Sequence, residues 1–503
     1  MRRRSLLLLA LAASLALAAG PLAPGASAKS PQTKSQLSKS KSIPAKAAPT
    51  PAEAIHNLGF AQSDVGYILF DVQSRRVLLE QNADQLFLPA SVSKLPTVYA
   101  ALEILGPDFR FETTVYRHGA DLYLKGGGDP SLDSTDLAGL VTQLKAAPLQ
   151  DVSVGGPEPR FFYDDSLMKR LPEISSKQPM AVAYNPGLSA LNVDFNRVEA
   201  DWELKAKGKS NFRALCVADR MILPAPWIAF DSASDDMLGQ MPFLYKGSQS
   251  LDRWDYSPYI EDHGSTFLPV KATSAHTALL FRDLAKVQGI KLPMPEPGVV
   301  PADAVPVARL ESKPLADIVR ELLRFSNNLS AELVGLAASR NLTGQALDLA
   351  QSAAALTRWL KERELKADWR GYVLANHSGL TPDSRLTPRQ MALLLTLISE
   401  DDALMQAIPG LTGDGHASLA DNPRGLIGKS GTMDYARGLA GYFLAKDGRP
   451  LGFAIFIFDR AQRAVLDATM DVRVLEPSPA ARGWMRRALQ VDQVLLADWM
   501  KRF

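Results

Sequence analysis

Pro89-Ala90-Ser91-Val92-Ser93-Lys94 opens a helical pattern of apolar residues that continues to about Leu105. If the helix begins at Ser91, the side chains of Ser91 and Lys94 lie on one face, about one turn apart. Pro96 removes a backbone donor, so it should kink or delay this helix. The stretch therefore predicts a serine hydroxyl at a helix start with a lysine amine within reach.

Two later motifs strengthen this interpretation. Ser326-Asn327-Asn328 and Lys429-Ser430-Gly431-Thr432 follow in the order that describes a serine nucleophile served by lysines instead of a histidine. The Ser-x-x-Lys spacing alone says little, since it also occurs at Ser38–Lys41 and Ser166–Lys169. Together the three motifs predict acyl transfer without a histidine base.

Other catalytic signatures are missing from the sequence. None of its six histidines stands in a His-Glu-x-x-His motif, and there is no Gly-x-Ser-x-Gly motif. We therefore expect no metal and no organic cofactor. A net charge of +2 gives no case for nucleic-acid binding. Cys216 is the only cysteine, which excludes an intramolecular disulfide and favours a buried core thiol.

The N-terminus has the composition of a secretory signal peptide, residues 1–28. Three arginines precede the short apolar run Leu6–Ala19, and small residues offer a cleavage site after Ala28. A retained membrane anchor is the alternative, although the run is shorter than the ~20 residues that span a bilayer. Residues 29–51 are basic and have almost no large apolar side chains, which predicts a disordered linker. We expect an exported protein, periplasmic rather than attached to an extracellular wall, with at most peripheral membrane association.

The remaining chain predicts a mixed α/β fold with an antiparallel sheet flanked by helices. Alternating apolar runs and turn residues indicate hairpins at 65–80 and 438–458, and 3.6-residue periodicity indicates helices. The helices are expected at 273–287, 315–325, 331–340, 346–362, 387–399 and 480–502. Short strands dominate residues 111–265, which we interpret as one or more inserted domains within a catalytic domain of residues 52–110 and 266–503. The glycines at 126–128 favour a structural turn over a phosphate-binding loop, because no Gly-Lys-Ser/Thr follows them.

The chain resembles the D-alanyl-D-alanine carboxypeptidase/endopeptidase family of class C, low-molecular-mass penicillin-binding proteins, the S13 peptidases. Beyond the three motifs, the resemblance includes Gly127–Leu132, Ser189–Val193, Ala331-Glu332, His377–Thr381 and Gly438–Tyr442. It implies a penicilloyl-serine-transferase (β-lactamase-like) core. Three positions depart from the family pattern: Ser430 replaces a threonine, Asn327 replaces a frequent aspartate, and His377 replaces an acidic residue.

Chemistry and the resemblance together assign roles to the motif residues. Ser91 attacks the scissile carbonyl, and Lys94 takes its proton, which requires a pKa below the ~10.4 of a free lysine. Burial and the neighbouring cation Lys429 would both lower that pKa. Ser326 relays a proton and Asn328 holds the substrate amide. In substrate binding, Lys429 and Ser430 suit a terminal carboxylate, Gly431 belongs to the same strand motif, and by resemblance the N–H of Thr432 joins that of Ser91 in an oxyanion hole.

The resemblance implies hydrolysis of peptidoglycan stem peptides through an acyl-enzyme, with β-lactam antibiotics as covalent inhibitors. Two alternatives stay open. A serine β-lactamase shares the nucleophile and the strand lysine, although the long insert argues against it. A non-catalytic cell-wall-binding protein would retain a degenerate site. The sequence leaves the balance of carboxypeptidase and endopeptidase activity, the diamino acid preference and the oligomeric state open.

Overall fold

A computed structural model describes residues 49–147, 158–205, 209–218, 221–233, 242–248, 250–364, 367–411, 424–471 and 478–503. The predicted signal peptide, nearly all of the predicted linker and the Ser38–Lys41 motif lie outside these residues. Within the described ranges, no helix is long and apolar enough to cross a membrane.

The chain alternates helical and extended segments. Strands β1 to β17 comprise, in chain order, Val65–Asp71, Val77–Gln81, Glu112–His118, Asp121–Lys125, Phe161–Asp164, Arg197–Lys205, Lys209–Ala218, Met221–Pro224, Ala229–Ser232, Phe243–Tyr245, Arg253–Tyr256, His263–Pro269, Pro295–Pro297, Val305–Glu311, Ile427–Met433, Ala436–Leu444 and Pro450–Phe458. Helices α1 to α11 comprise Pro51–Asn57, Lys94–Leu105, Ser134–Ala146, Thr273–Val287, Leu315–Phe325, Asn328–Thr343, Leu349–Arg363, Pro388–Ile398, Asp402–Ala407, Arg460–Thr469 and Pro479–Arg502.

The first and last strands of the chain form one antiparallel sheet in the order β15-β16-β17-β1-β2. Strand β17 has apolar residues on both of its faces, and other elements cover both faces. Phe453, Ile455 and Ile457 pack in a cluster with helix α11. Ala454 and Phe456 face the other way, into a cluster with α2, α5, α6 and α8. The sheet therefore lies between two helical layers, and the predicted α/β architecture is confirmed.

The first active-site element differs from the sequence prediction. Residues Ala90–Ser93 form a 3₁₀ turn, and helix α2 begins at Lys94 instead of Ser91. Pro96 explains the delay. As the third residue of α2 it lies where backbone N–H groups have no intrahelical acceptor, so its missing donor costs little. Ser91 consequently lies on the turn that leads into the helix.

The segment between β3 and β14 has a hydrophobic core of its own. It contains three sheets, ordered β13-β5-β4-β3-β14, β12-β6-β7-β8 and β10-β11-β9, and its core includes residues from Val115 to Ala308. Cys216 is fully buried in this core and has no disulfide partner, and burial raises the pKa of its thiol. The expected core thiol is therefore observed.

The predicted end of the insert at residue 265 cuts through strand β12 and needs correction. Helix α4 contributes Leu280 and Phe281 to the core of the insert, and strand β14 pairs with β3. The chain leaves the catalytic domain and returns to it at one place, where the Ser312 N–H donates to the Phe111 carbonyl at 2.9 Å. We therefore propose an insert of residues 111–312. Sequence alone could not show this, because the pairing joins segments almost two hundred residues apart.

Candidate active site

Lys94 lies at the centre of the site that the three motifs form. Its Nζ is 3.0 Å from Ser91 Oγ, and it donates to Asn328 Oδ1 and to the Ser378 carbonyl, each at 2.8 Å. The side chain is fully buried. The first two motifs thus meet through a single amine.

The third motif approaches the nucleophile through its backbone. Strand β15 carries Lys429 to Thr432 and is an edge strand, so one of its sides faces the 3₁₀ turn instead of another strand. A Cβ atom on Gly431 would lie 2.5 Å from the Pro89 carbonyl oxygen and 2.7 Å from the Ser91 nitrogen. Glycine is required here because only its lack of a side chain lets the two backbones come this close.

The second motif stands at the junction of helices α5 and α6. Ser326 ends α5 in a left-handed conformation with φ of 52°, and the Asn327 side chain caps α6 by accepting from the Ser330 N–H. Asn328 is the first residue of α6. Its Nδ2 donates to the carbonyl of Tyr184, which belongs to the insert. Asn327 therefore works as a helix cap, which explains why an asparagine can stand at this position.

The side chains of the third motif differ in their surroundings. Lys429 is almost fully buried, with 3 % of its surface exposed, and its Nζ donates to the Ser430 carbonyl at 2.6 Å. Ser430 is half-buried, whereas Thr432 is exposed and its Oγ1 accepts from Arg437 Nη1 at 2.8 Å. The Thr432 hydroxyl is thus held by the neighbouring strand β16.

The electrostatics of the site favour a neutral Lys94. Burial lowers the pKa of its amine well below the ordinary value, and the nearby charge of Lys429 lowers this pKa further. The carboxylate of Glu332 acts in the opposite direction. Both expected causes of a weakened lysine base, burial and the second cation, are therefore present.

Comparison with known families agrees with this geometry. Residues 52–474 match the model of the D-Ala-D-Ala carboxypeptidase 3 (S13) family. The chain belongs to this family. This confirms the resemblance and makes the protein a serine-type D-Ala-D-Ala carboxypeptidase. Within the described ranges, no group of three or more His, Cys, Asp or Glu residues is placed to hold a metal ion.

Two relatives align with most of this S13 carboxypeptidase. D-alanyl-D-alanine carboxypeptidase DacB of Haemophilus influenzae is 24% identical over 440 residues, which cover 78% of this chain and 85% of the relative. D-alanyl-D-alanine carboxypeptidase of Actinomadura sp. (strain R39) is 26% identical over 485 residues, 87% of this chain and 86% of the relative. The crystal structure of H. influenzae penicillin binding protein 4 superposes with a TM-score of 0.66 at 20% identity, covering 88% of this chain and 99% of that one. The fold is therefore that of a penicillin-binding protein.

Sequence reasoning missed two backbone carbonyls in this S13 carboxypeptidase site. Those of Ser378 and Tyr184 accept from Lys94 and Asn328, respectively. Side-chain motifs do not report carbonyl positions, and the only signal was the family resemblance of residues 377–381.

His377 itself is fully buried, and burial lowers its pKa to about 3, so the imidazole is neutral. Its Nε2 lies 2.7 Å from Ser352 Oγ.

Substituting Gly431 by alanine is expected to slow acylation of the S13 carboxypeptidase by a β-lactam about 100-fold. The new methyl group would meet backbone atoms of the 3₁₀ turn, which have no flexible end to move aside. Stopped-flow or quenched mass spectrometry would measure the rate. Gly139→Ala is the matched control, since a Cβ there meets nothing within 4 Å. Equal acylation rates in the two variants would contradict the close approach.

Proposed function

We propose that this carboxypeptidase is exported and hydrolyses peptidoglycan through an acyl-enzyme on Ser91. It removes the terminal D-alanine of stem peptides and cleaves D-alanyl cross-links, and β-lactams inhibit it by acylating the same serine. The observation that carries the proposal is the position of Lys94 Nζ, 3.0 Å from Ser91 Oγ and between two fixed acceptors.

Those two acceptors orient the lysine as a base. A neutral amine has two hydrogens and one lone pair. Asn328 Oδ1 and the Ser378 carbonyl can only accept, so they take the two hydrogens. The lone pair is left facing the Ser91 hydroxyl, which can then donate its proton to Nζ as its oxygen attacks the substrate carbonyl.

Attack forms a tetrahedral intermediate whose oxyanion needs two aimed donors. The proposed donors are the N–H groups of Ser91 and Thr432, and the contact of Gly431 with the 3₁₀ turn supports their closeness. The carbon–nitrogen bond then breaks as the leaving D-alanine amine takes the proton from Lys94 through Ser326. A water molecule, deprotonated by Lys94, then attacks the resulting ester. The ester bond breaks, and Ser91 Oγ takes back a proton from Lys94.

Specificity for a chain end requires recognition of the terminal carboxylate. Lys429 and the half-buried Ser430 hydroxyl are proposed to bind it, which would distinguish a D-alanyl terminus from an internal peptide bond. The Asn328 amide group is proposed to bind the substrate's penultimate amide. Inhibition by β-lactams is supported by a solved structure of H. influenzae penicillin binding protein 4 in complex with a β-lactam.

Export is proposed from the N-terminal sequence. Arg2 to Arg4, the apolar run and the small residues before Lys29 support cleavage by a signal peptidase and a periplasmic location. Fractionation of cells that express the full chain should recover the protein in the periplasm. N-terminal sequencing of that fraction should begin near Lys29, whereas an intact N-terminus in the membrane fraction would indicate a retained anchor.

Product analysis tests the activity. Purified protein is incubated with a defined muropeptide that ends in D-Ala-D-Ala and with a D-alanyl cross-linked dimer, and the products are identified by mass spectrometry. We expect loss of one D-alanine from the first substrate and monomers from the second. Prior incubation with penicillin should block both reactions and leave one adduct on the peptide that contains Ser91.

The same experiment separates the alternatives. Steady release of hydrolysed penicillin without an accumulating adduct would identify a serine β-lactamase. Neither adduct nor product, in a protein that still binds peptidoglycan, would identify a non-catalytic wall-binding protein. Either result would overturn the proposal.

Lys429→Ala is expected to move the acidic limb of the pH–rate profile for acylation, the part in which the rate rises with pH, to higher pH. Its charge lowers the pKa of Lys94, so removal raises that pKa, and a higher pH is then needed to obtain the neutral base. The variant should also acylate more slowly at every pH because it loses a carboxylate contact. The midpoint of the limb reports the charge effect separately. A midpoint that stays or falls would contradict the assignment.

A further inference from the structure

Glu332 is a buried carboxylate that the proposed mechanism does not use. It lies one turn after Asn328 on helix α6, on the same helix face, and its side chain is fully buried. Its Oε1 accepts from the Ser378 N–H and its Oε2 from the His377 N–H, each at 3.0 Å. Both oxygens are thus engaged by consecutive backbone donors of one loop.

The opposite side of that loop faces helix α2. The Ser378 carbonyl accepts from Lys94 Nζ at 2.8 Å, and the His377 carbonyl accepts from Thr97 Oγ1 at 3.1 Å. Gly379 follows with φ of 75°, and a Cβ there would lie 1.9 Å from the Ala90 carbonyl oxygen. The loop is therefore fixed between α6, through its N–H groups, and α2, through its carbonyls.

We propose that Glu332 is a positioning residue for the general base: it holds the Ser378 carbonyl where that carbonyl directs the Lys94 lone pair at Ser91. The inference rests on the proposed function, since it assumes that Lys94 activates Ser91 for acylation. Glu332 touches neither the nucleophile nor the substrate in this scheme. It acts through the peptide unit between residues 378 and 379.

Burial raises the pKa of Glu332, whereas the hydrogen bonds that it accepts from Ser378 and His377 act in the opposite direction and favour the carboxylate. As a carboxylate, Glu332 also acts on Lys94 through its charge. Within the described ranges, two charged groups act on Lys94: Lys429 from strand β15, which lowers the pKa of Lys94, and Glu332 from helix α6, which raises it. A neutral residue at 332 would therefore lower the pKa of Lys94. A residue that stabilised the loop without its charge reaching Lys94 would not change this pKa when replaced.

Two substitutions separate the effect of Glu332 on the position of the Ser378 carbonyl from the effect of its charge on Lys94. In Glu332→Gln, one oxygen can still accept, but the amide NH₂ faces the second backbone donor, so one hydrogen bond becomes a donor–donor contact. In Glu332→Asp, the charge remains while the side chain is one methylene shorter. Asp71→Asn is the matched control, because Asp71 is also a buried carboxylate that accepts from a backbone N–H, that of Ser74 at 2.8 Å.

The measurement is the acylation rate by penicillin across pH, with the final adduct yield counting the competent molecules. For Glu332→Gln we expect a rate about 100-fold below wild type at pH 7 and an acidic limb shifted to lower pH. Glu332→Asp should also be acylated more slowly than wild type, but the acidic limb of its pH–rate profile should lie at the same pH as in wild type. Asp71→Asn should match wild type in rate and limb, even where its melting temperature is lower.

Each other outcome overturns the inference. Glu332→Gln that acylates at the wild-type rate excludes a positioning role. A slow Glu332→Gln with an unmoved limb assigns Glu332 to loop stability alone. Wild-type protein that forms no adduct disproves the proposed function, and the inference falls with it. That last result appears in the wild type, so the two failures are distinguishable.

Discussion

Ser91→Ala is expected to abolish both the penicillin adduct and the release of D-alanine, a loss of roughly 10⁶-fold, as when a serine protease loses its nucleophile. Ser91 Oγ is the hydroxyl 3.0 Å from the buried Lys94 amine, and alanine keeps the Cβ and the backbone of the 3₁₀ turn. The variant should therefore fold like wild type. Intact-protein mass spectrometry after exposure to penicillin would measure the adduct.

The Ser-x-x-Lys sequence in the insert, Ser166–Lys169, provides a matched control. Lys169 Nζ lies 3.3 Å from Gln351 Oε1 and 3.8 Å from Asp348 Oδ2, on or beside helix α7, so its charge is engaged away from Ser166. Ser166→Ala should be labelled by penicillin as fully as wild type. Labelling that survives in Ser91→Ala, or disappears in Ser166→Ala, would refute the choice of nucleophile.

Local sequence patterns predicted most helices and hairpins of the catalytic domain, because the spacing of apolar residues within each segment determines these elements. The predicted helix at 315–325 is α5 as observed, and the predicted hairpin near the C-terminus is formed by β16 and β17. Strand β17 could be recognised although it does not alternate, since its apolar run of isoleucine and phenylalanine residues follows directly on a turn with Asp447 and Gly448.

Contacts between distant residues could not be predicted in the same way. The end of the insert was placed too early because the helical pattern at 273–287 resembles the catalytic helices, whereas its apolar face packs on the insert. The same limit applies in the site. Lys94 and the Ser378 carbonyl are 284 residues apart, and no side-chain pattern marks a backbone acceptor. The structure joins Ser91, Lys94 and Asn328 of the first two motifs by side-chain contacts, and the fold supplies the carbonyl groups that orient them.

Lys94→Met is expected to reduce acylation by about 10⁴-fold at neutral pH, the upper range for loss of a general base. Methionine is unbranched and similar in length, so it fills the fully buried space of Lys94 without the amine. The pH profile gives a second signature. Burial and Lys429 lower the pKa of Lys94, so the wild-type rate should rise with pH through that lowered pKa, and the variant should lack this limb.

Lys169→Met is the control for loss of a lysine, and it should acylate at the wild-type rate with the wild-type limb. A limb that persists in Lys94→Met would assign the proton acceptor to another group. In the proposed mechanism, burial is what allows Lys94 to serve as the base. An exposed ammonium would stay protonated at neutral pH and have no lone pair to offer, whereas a buried amine with two fixed acceptors has a single direction in which to accept a proton. The low pKa and the aim of the lone pair therefore arise from the same enclosure.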